Sequence, residues 1–109
     1  MAYDEHLAQR IRDIVGSEPG IDEQKMFGGL AILLDGNMAV GVSGDEVMVR
    51  VGVDGLEEVL TQDGVRPFDM SGKRMKGWIL VGGQGIAEDE DLKRWTDIGM
   101  GIAGSLPPK

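Results

Sequence analysis

The stretch Lys25-Met26-Phe27-Gly28-Gly29-Leu30-Ala31-Ile32-Leu33-Leu34-Asp35-Gly36-Asn37-Met38-Ala39-Val40-Gly41-Val42 decides the fold. Two short apolar runs, 30–34 and 38–42, flank Asp35-Gly36-Asn37. Asp-Gly suits a tight hairpin turn because both central positions need positive φ. The runs are too short for helices and too rich in β-formers for loops, so they read as paired antiparallel strands. Upstream, residues 24–27 read as a first short strand. Gly28-Gly29 supplies a bend or bulge, since glycine reaches backbone angles closed to other residues.

Working outward, Ser43-Gly44-Asp45 is a second turn and residues 46–51 alternate. Val47, Val49 and Val51 face one way; Glu46, Met48 and Arg50 face the other. Residues 65–68 form a short extended piece. Pro67 cannot donate to a ladder, which places that piece at a sheet edge. Residues 76–81 make the last strand, and Gly82-Gly83-Gln84-Gly85 is a loop.

Three helices complete the pattern. Residues 4–15 carry Leu7, Ile11, Ile14 and Val15 on one face and stop at Gly16. Asp54-Gly55-Leu56-Glu57 forms a capping box for a short helix ending near Gln62. The last helix, 88–105, opens with Glu88-Asp89-Glu90-Asp91, where the helix dipole favours negative charge. Its stripe is Leu92, Trp95, Ile98 or Gly99, Ile102 and Leu106, and Gly99, Gly101 and Gly104 are expected to allow close packing on the sheet. The expectation is an α+β domain: a two-layer arrangement of one antiparallel sheet of five or six strands with three helices, in the order α-β-β-β-β-α-β-β-α. The helices cover one side. The other side then shows Ala31, Leu33, Ala39, Gly41 and Met48, an apolar surface suited to a contact, a second copy being one candidate.

Composition sets the outer bounds. A chain of 109 residues has room for one domain, 1–109. No apolar run reaches the roughly 20 residues that span a bilayer, and the N-terminus lacks a secretory leader, so the expected location is cytoplasmic. There is no cysteine, which excludes thiol and disulfide chemistry. The net charge of −8 disfavours direct nucleic-acid binding. Yet Arg66, Lys73, Arg74 and Lys76, opposed only by Asp69, make one basic segment on an acidic body. That segment reads either as a solvated hairpin loop or as a docking point for an acidic partner.

Reactive chemistry is scarce. His6 is the single histidine and sits on a first helical turn with nothing nearby in sequence to orient it. The four serines stand in turns or helix ends, none in a Gly-x-Ser-x-Gly elbow. The acids at 88–91 are consecutive, whereas calcium loops interleave theirs around a glycine. The 82–85 glycines lie between a strand and a helix, as phosphate loops do, but carboxylates follow them and would repel a pyrophosphate. Ser71-Gly72-Lys73 lacks the upstream glycine of a P-loop. Arg66, Phe68, Arg74 and Trp78 mix bases with aromatics, a pattern that single-stranded nucleic acid can use. No catalytic set, metal site or cofactor is expected.

Lys25-Met26-Phe27-Gly28-Gly29, the Asp35-Gly36 hairpin, Val49-Arg50-Val51-Gly52, Arg66-Pro67-Phe68, Met75-Lys76-Gly77-Trp78 and the Leu92/Trp95 spacing together resemble the N-terminal domain of the TfoX/Sxy family. The resemblance covers nearly the whole chain. It implies an α+β domain with an antiparallel sheet, and a bacterial regulator of competence and transcription acting through protein contacts. Full-length members carry a second, helical C-terminal domain, which these 109 residues do not include. The expected role is therefore a non-catalytic interaction module. The expected contacts are Arg66, Lys73, Arg74 and Lys76 on the loop, with Leu33 and Met48 on the open sheet face. A small-ligand enzyme accessory and a direct nucleic-acid-binding regulator are the alternatives.

Overall fold

The computed structural model describes residues 3–16, 18–26, 29–52, 56–70 and 73–107, with the backbone alone at 26, 69, 70 and 73–76. The elements run α1 (Glu5–Val15), β1 (Ile21–Met26), β2 (Gly29–Leu34), β3 (Asn37–Ser43), β4 (Glu46–Arg50), α2 (Leu56–Val59), β5 (Val65–Met70), β6 (Lys73–Val81) and α3 (Asp89–Gly104). A single 3₁₀ turn at Gly83–Gly85 precedes α3. All strands join one six-stranded sheet in the order β1-β2-β3-β4-β6-β5, every pair antiparallel. The α+β class and the element order follow the sequence expectation, and β5 with Pro67 is an outer strand.

Local chemistry accounts for the turns and caps. Asp35 and Gly36 both adopt positive φ, 53° and 85°, as a two-residue hairpin between twisted strands demands. Asp4 caps α1, its carboxylate accepting from the amides of His6 (2.9 Å) and Leu7 (3.2 Å). β1 begins at Ile21, earlier than the hydrophobic pattern suggests, because its charged stretch Asp22-Glu23 is held by pairing with β2 and not by burial. Gly28 of the bend expected at Gly28-Gly29 and the Asp54 half of the capping box lie outside the described residues, while Gly29 opens β2.

The core lies between the sheet and its helices. Leu30, Ile32, Val40, Val42, Val47, Val49, Ile79 and Val81 point from the sheet toward Leu7 and Ile11 of α1 and Leu92 and Trp95 of α3. Trp95 is fully buried and its indole N–H donates to the Gly85 carbonyl at 3.1 Å. The buried stripe of α3 runs through Leu92, Trp95, Thr96, Gly99 and Ala103, while Ile98, Ile102 and Leu106 are only half-buried. Gly99 explains the rotation. A Cβ there would press into the Ala39 carbonyl oxygen and stand 2.7 Å from Val40 Cγ1. The helix backbone therefore rests on β3 at this residue. Thr96 tolerates burial because its hydroxyl donates to the Leu92 carbonyl, 2.8 Å away.

Long-range polar contacts fasten the helices to their surroundings. Arg10 of α1 donates to the Ile86 carbonyl (2.9 Å) and to Asp89 (3.2 Å), tying α1 to the start of α3. Arg12 reaches Glu23 on β1 at 2.9 and 3.0 Å, and that carboxylate lifts the guanidinium pKa above its ordinary value. Buried Asn37 donates to the Pro107 carbonyl at 2.9 Å, closing the C-terminal segment onto the β2–β3 hairpin. Among the described residues, no helix is long and apolar enough to cross a membrane.

Candidate interaction surfaces

Residues paired directly across an antiparallel ladder share a face. The face away from the helices therefore carries Asp22 and Leu33, Leu33 and Met38, Gly41 and Met48, Met48 and Leu80, Arg50 and Trp78, and Arg66 and Leu80. A register shift between Ile32 and Leu33 lets Leu33 oppose Met38 and turns the Ala39 carbonyl toward Gly99. Gly41 is the floor of this face. A Cβ there would stand 2.7 Å from Met48 Cε and 2.8 Å from Met38 Cε, so both methionine side chains lie across the glycine.

That packing corrects the exposure expected from alternation. Met48 is only 3% exposed, and Ala31, Ala39 and Gly41 are buried. Alternation assigns a side chain to a face, but it does not say how far flexible neighbours cover it. Between the exposed Asp22 and Arg66, the face keeps Leu33, Met38, Arg50 and Trp78 accessible, each half-buried. Arg50 lies 5.3 Å from the Trp78 ring centroid and donates to the Met38 carbonyl at 3.2 Å. The cation is thus held over an aromatic ring in the middle of the face.

The ladder fixes how the bases are spaced. Arg66 stands opposite Leu80, whereas Arg74 stands opposite Asp69 near the tip of the β5–β6 hairpin, with a register shift between Pro67 and Asp69. Three residues of β5 separate Arg66 from Asp69, roughly 10 Å. Arg66 donates to Glu46 through Nε at 3.0 Å and belongs with that carboxylate. The side chains of Lys73, Arg74 and Lys76 lie outside the described residues, although their backbone places them along β6. Leu33 sits in β2, three strands away from β6.

The other candidates resolve locally. His6 is exposed on the first turn of α1. Among the described residues, no three His, Asp or Glu side chains converge as metal ligands. Asp89, Glu90 and Asp91 occupy the first turn of α3, with Asp89 engaged by Arg10 and Asp91 3.7 Å from Arg94. The glycine loop is a packing joint. The Gly82 amide donates to the Gly64 carbonyl (3.0 Å) and the Gly85 amide to the Gly82 carbonyl (3.0 Å). Those donors therefore do not point at a phosphate, unlike the amides of a phosphate-binding loop. Beside it, Gln62, Asp63, Gln84, Asp91 and Arg94 line a polar cleft of about 230 Å³. Arg94 lies 4.6 Å from the Trp95 ring centroid there and donates to Gln62 at 3.2 Å. Sequence spacing gave no sign of this cleft, since its walls lie 32 residues apart along the chain.

The molecule is thus a small α+β domain with one helix-covered and one helix-free sheet face. Residues 13–102 match the family model for the TfoX N-terminal domain, and the chain belongs to that family. No curated protein and no solved structure matches it.

Proposed function

We propose that this domain is a non-catalytic module that works by contact with another protein, in the competence or transcription regulation that its family membership suggests. The observation that carries the reading is the half-exposed strip Leu33, Met38, Arg50 and Trp78 on the sheet face opposite all three helices. An aromatic ring, an arginine and flexible thioethers are the side chains that interfaces favour. Lys73, Arg74 and Lys76 belong to the same strand as Trp78, and their positive charge favours an acidic partner. The domain is cytoplasmic in this reading.

The test is partner capture from the native cell with the wild-type chain and two variants, Leu33→Asp and the Arg74→Glu/Lys76→Glu pair. Each variant should keep the wild-type circular dichroism and lose the captured protein. Undiminished recovery of every captured protein by both variants would refute the surface. DNA binding at low ionic strength, falling steeply with added salt, would favour a nucleic-acid reading instead. A saturable thermal shift with a nucleotide or metabolite would favour a ligand-binding accessory.

A further inference from the structure

We infer that the cleft between α1 and α3 is a second docking site, built for a basic amphipathic helix of a partner protein. The cleft measures about 330 Å³. Its apolar wall is Ile14 and Val15 from the end of α1, Leu34 from the end of β2, and Met100 from α3. All four are half-buried, so they present apolar surface that the chain itself does not cover.

The rim is negative. Among the described residues, Glu18 and Asp97 line the cleft and no lysine or arginine does. The C-terminal end of α1, where the helix dipole is negative, stands at the same place. Arg12, the base in the last turn of α1, is drawn off to Glu23 on β1. Asp97 is shared with Lys93 at 2.7 Å, which leaves Glu18 and the helix end as the stronger attraction for a cation. The body as a whole is acidic at −8, so an incoming base gains at long range as well.

Two features select a helix as the occupant. The cleft walls are mainly helices, whose backbone groups are satisfied internally, so an extended peptide finds no ladder to join. Gly101 also borders the cleft, and a Cβ there would meet nothing within 4 Å. Gly99, two residues earlier, is required by the sheet; nothing among the described residues requires Gly101. An exposed glycine on a helix lets a second helix approach closely, with its apolar side chains entering between α1 and α3.

The experiment uses the full chain and a fluorescein-labelled amphipathic helix of leucine and lysine, read by anisotropy at constant salt. Wild type should bind it, and the matching leucine–glutamate peptide should not bind. Gly101→Ala should weaken binding a few-fold, and Gly101→Leu, which fills the cleft, about tenfold or more. Glu18→Lys/Asp97→Lys should weaken it more than Glu57→Lys/Glu58→Lys, an equal charge change on exposed residues of α2. Thermal unfolding of each variant verifies folding. Failure of wild type to bind, indifference to Gly101→Leu, or equal weakening by the two charge pairs would each overturn the inference. So would a concentration-dependent dimer abolished by Gly101→Leu, because the occupant would then be a second copy. These outcomes are independent of the variants that test the sheet face.

Discussion

Gly99 and Gly101 stand two residues apart on one helix and should respond to the same substitution with opposite signs. Replacing either by alanine contributes about 1 kcal/mol of helix propensity. At Gly101 the new methyl meets nothing within 4 Å, so the gain is undiminished. At Gly99 the methyl enters the space of the Ala39 carbonyl oxygen and Val40 Cγ1. β3 is paired on both sides, so the strand cannot back away without disturbing two ladders. Overpacking costs about 1–3 kcal/mol, and this contact belongs at the upper end. The net effect is about 2 kcal/mol of destabilisation for Gly99→Ala and about 1 kcal/mol of stabilisation for Gly101→Ala. With about 4 °C per kcal/mol for a domain of this size, the two melting temperatures should differ by roughly 12 °C. Urea unfolding followed by far-UV circular dichroism gives the same difference as a free energy. If Gly99→Ala proves as stable as wild type, or Gly101→Ala destabilises, the account of how α3 seats on the sheet is wrong.

Other perturbations test other joints. Asp4→Ala removes the α1 cap and should cost about 1 kcal/mol in urea unfolding, with Asp4→Asn nearly neutral. Leu92→Ala opens a cavity at a fully buried site and should cost about 2–5 kcal/mol by the same assay. Gly64→Ala combines φ of 80° with a Cβ pressed against the Gly82 carbonyl and 2.8 Å from the Gly85 amide nitrogen, so soluble yield and melting temperature should both drop sharply. Breaking the Arg66–Glu46 pair with Arg66→Ala should change stability by no more than about 1 kcal/mol, because the arginine is 59% exposed.

The hairpin and the alternating strand were readable because turn chemistry and period-two patterning are local. Asp35-Gly36 and Val47, Val49 and Val51 need no tertiary knowledge. The start of β1 was less readable, since an edge strand held mainly by ladder bonds carries little hydrophobic signal. The seam of α3 was legible in part: Leu92 and Trp95 hold, and the choice between Ile98 and Gly99 falls to the glycine. Hydrophobicity points at Ile98 and Ile102, but the helix turns its glycine to the sheet to bring the backbones together. The basic segment was legible as positions on one hairpin, but the pairing of Arg66 with Glu46 was not, because that carboxylate comes from a strand 20 residues away. The α1–α3 cleft left no linear trace, as its walls come from residues 14–34 and 97–101, far apart in the chain.

The two margins of the sheet differ from its faces in one respect that governs how the molecule behaves in a crowded solution. β5 carries half-buried Pro67 on one flank, and β1 lines the other with exposed Asp22, Glu23 and Lys25. A foreign strand arriving in the plane meets a missing donor on one side and desolvated charge on the other. Growth of the sheet into fibrils is therefore blocked at both ends. Productive encounters are channelled above or below it.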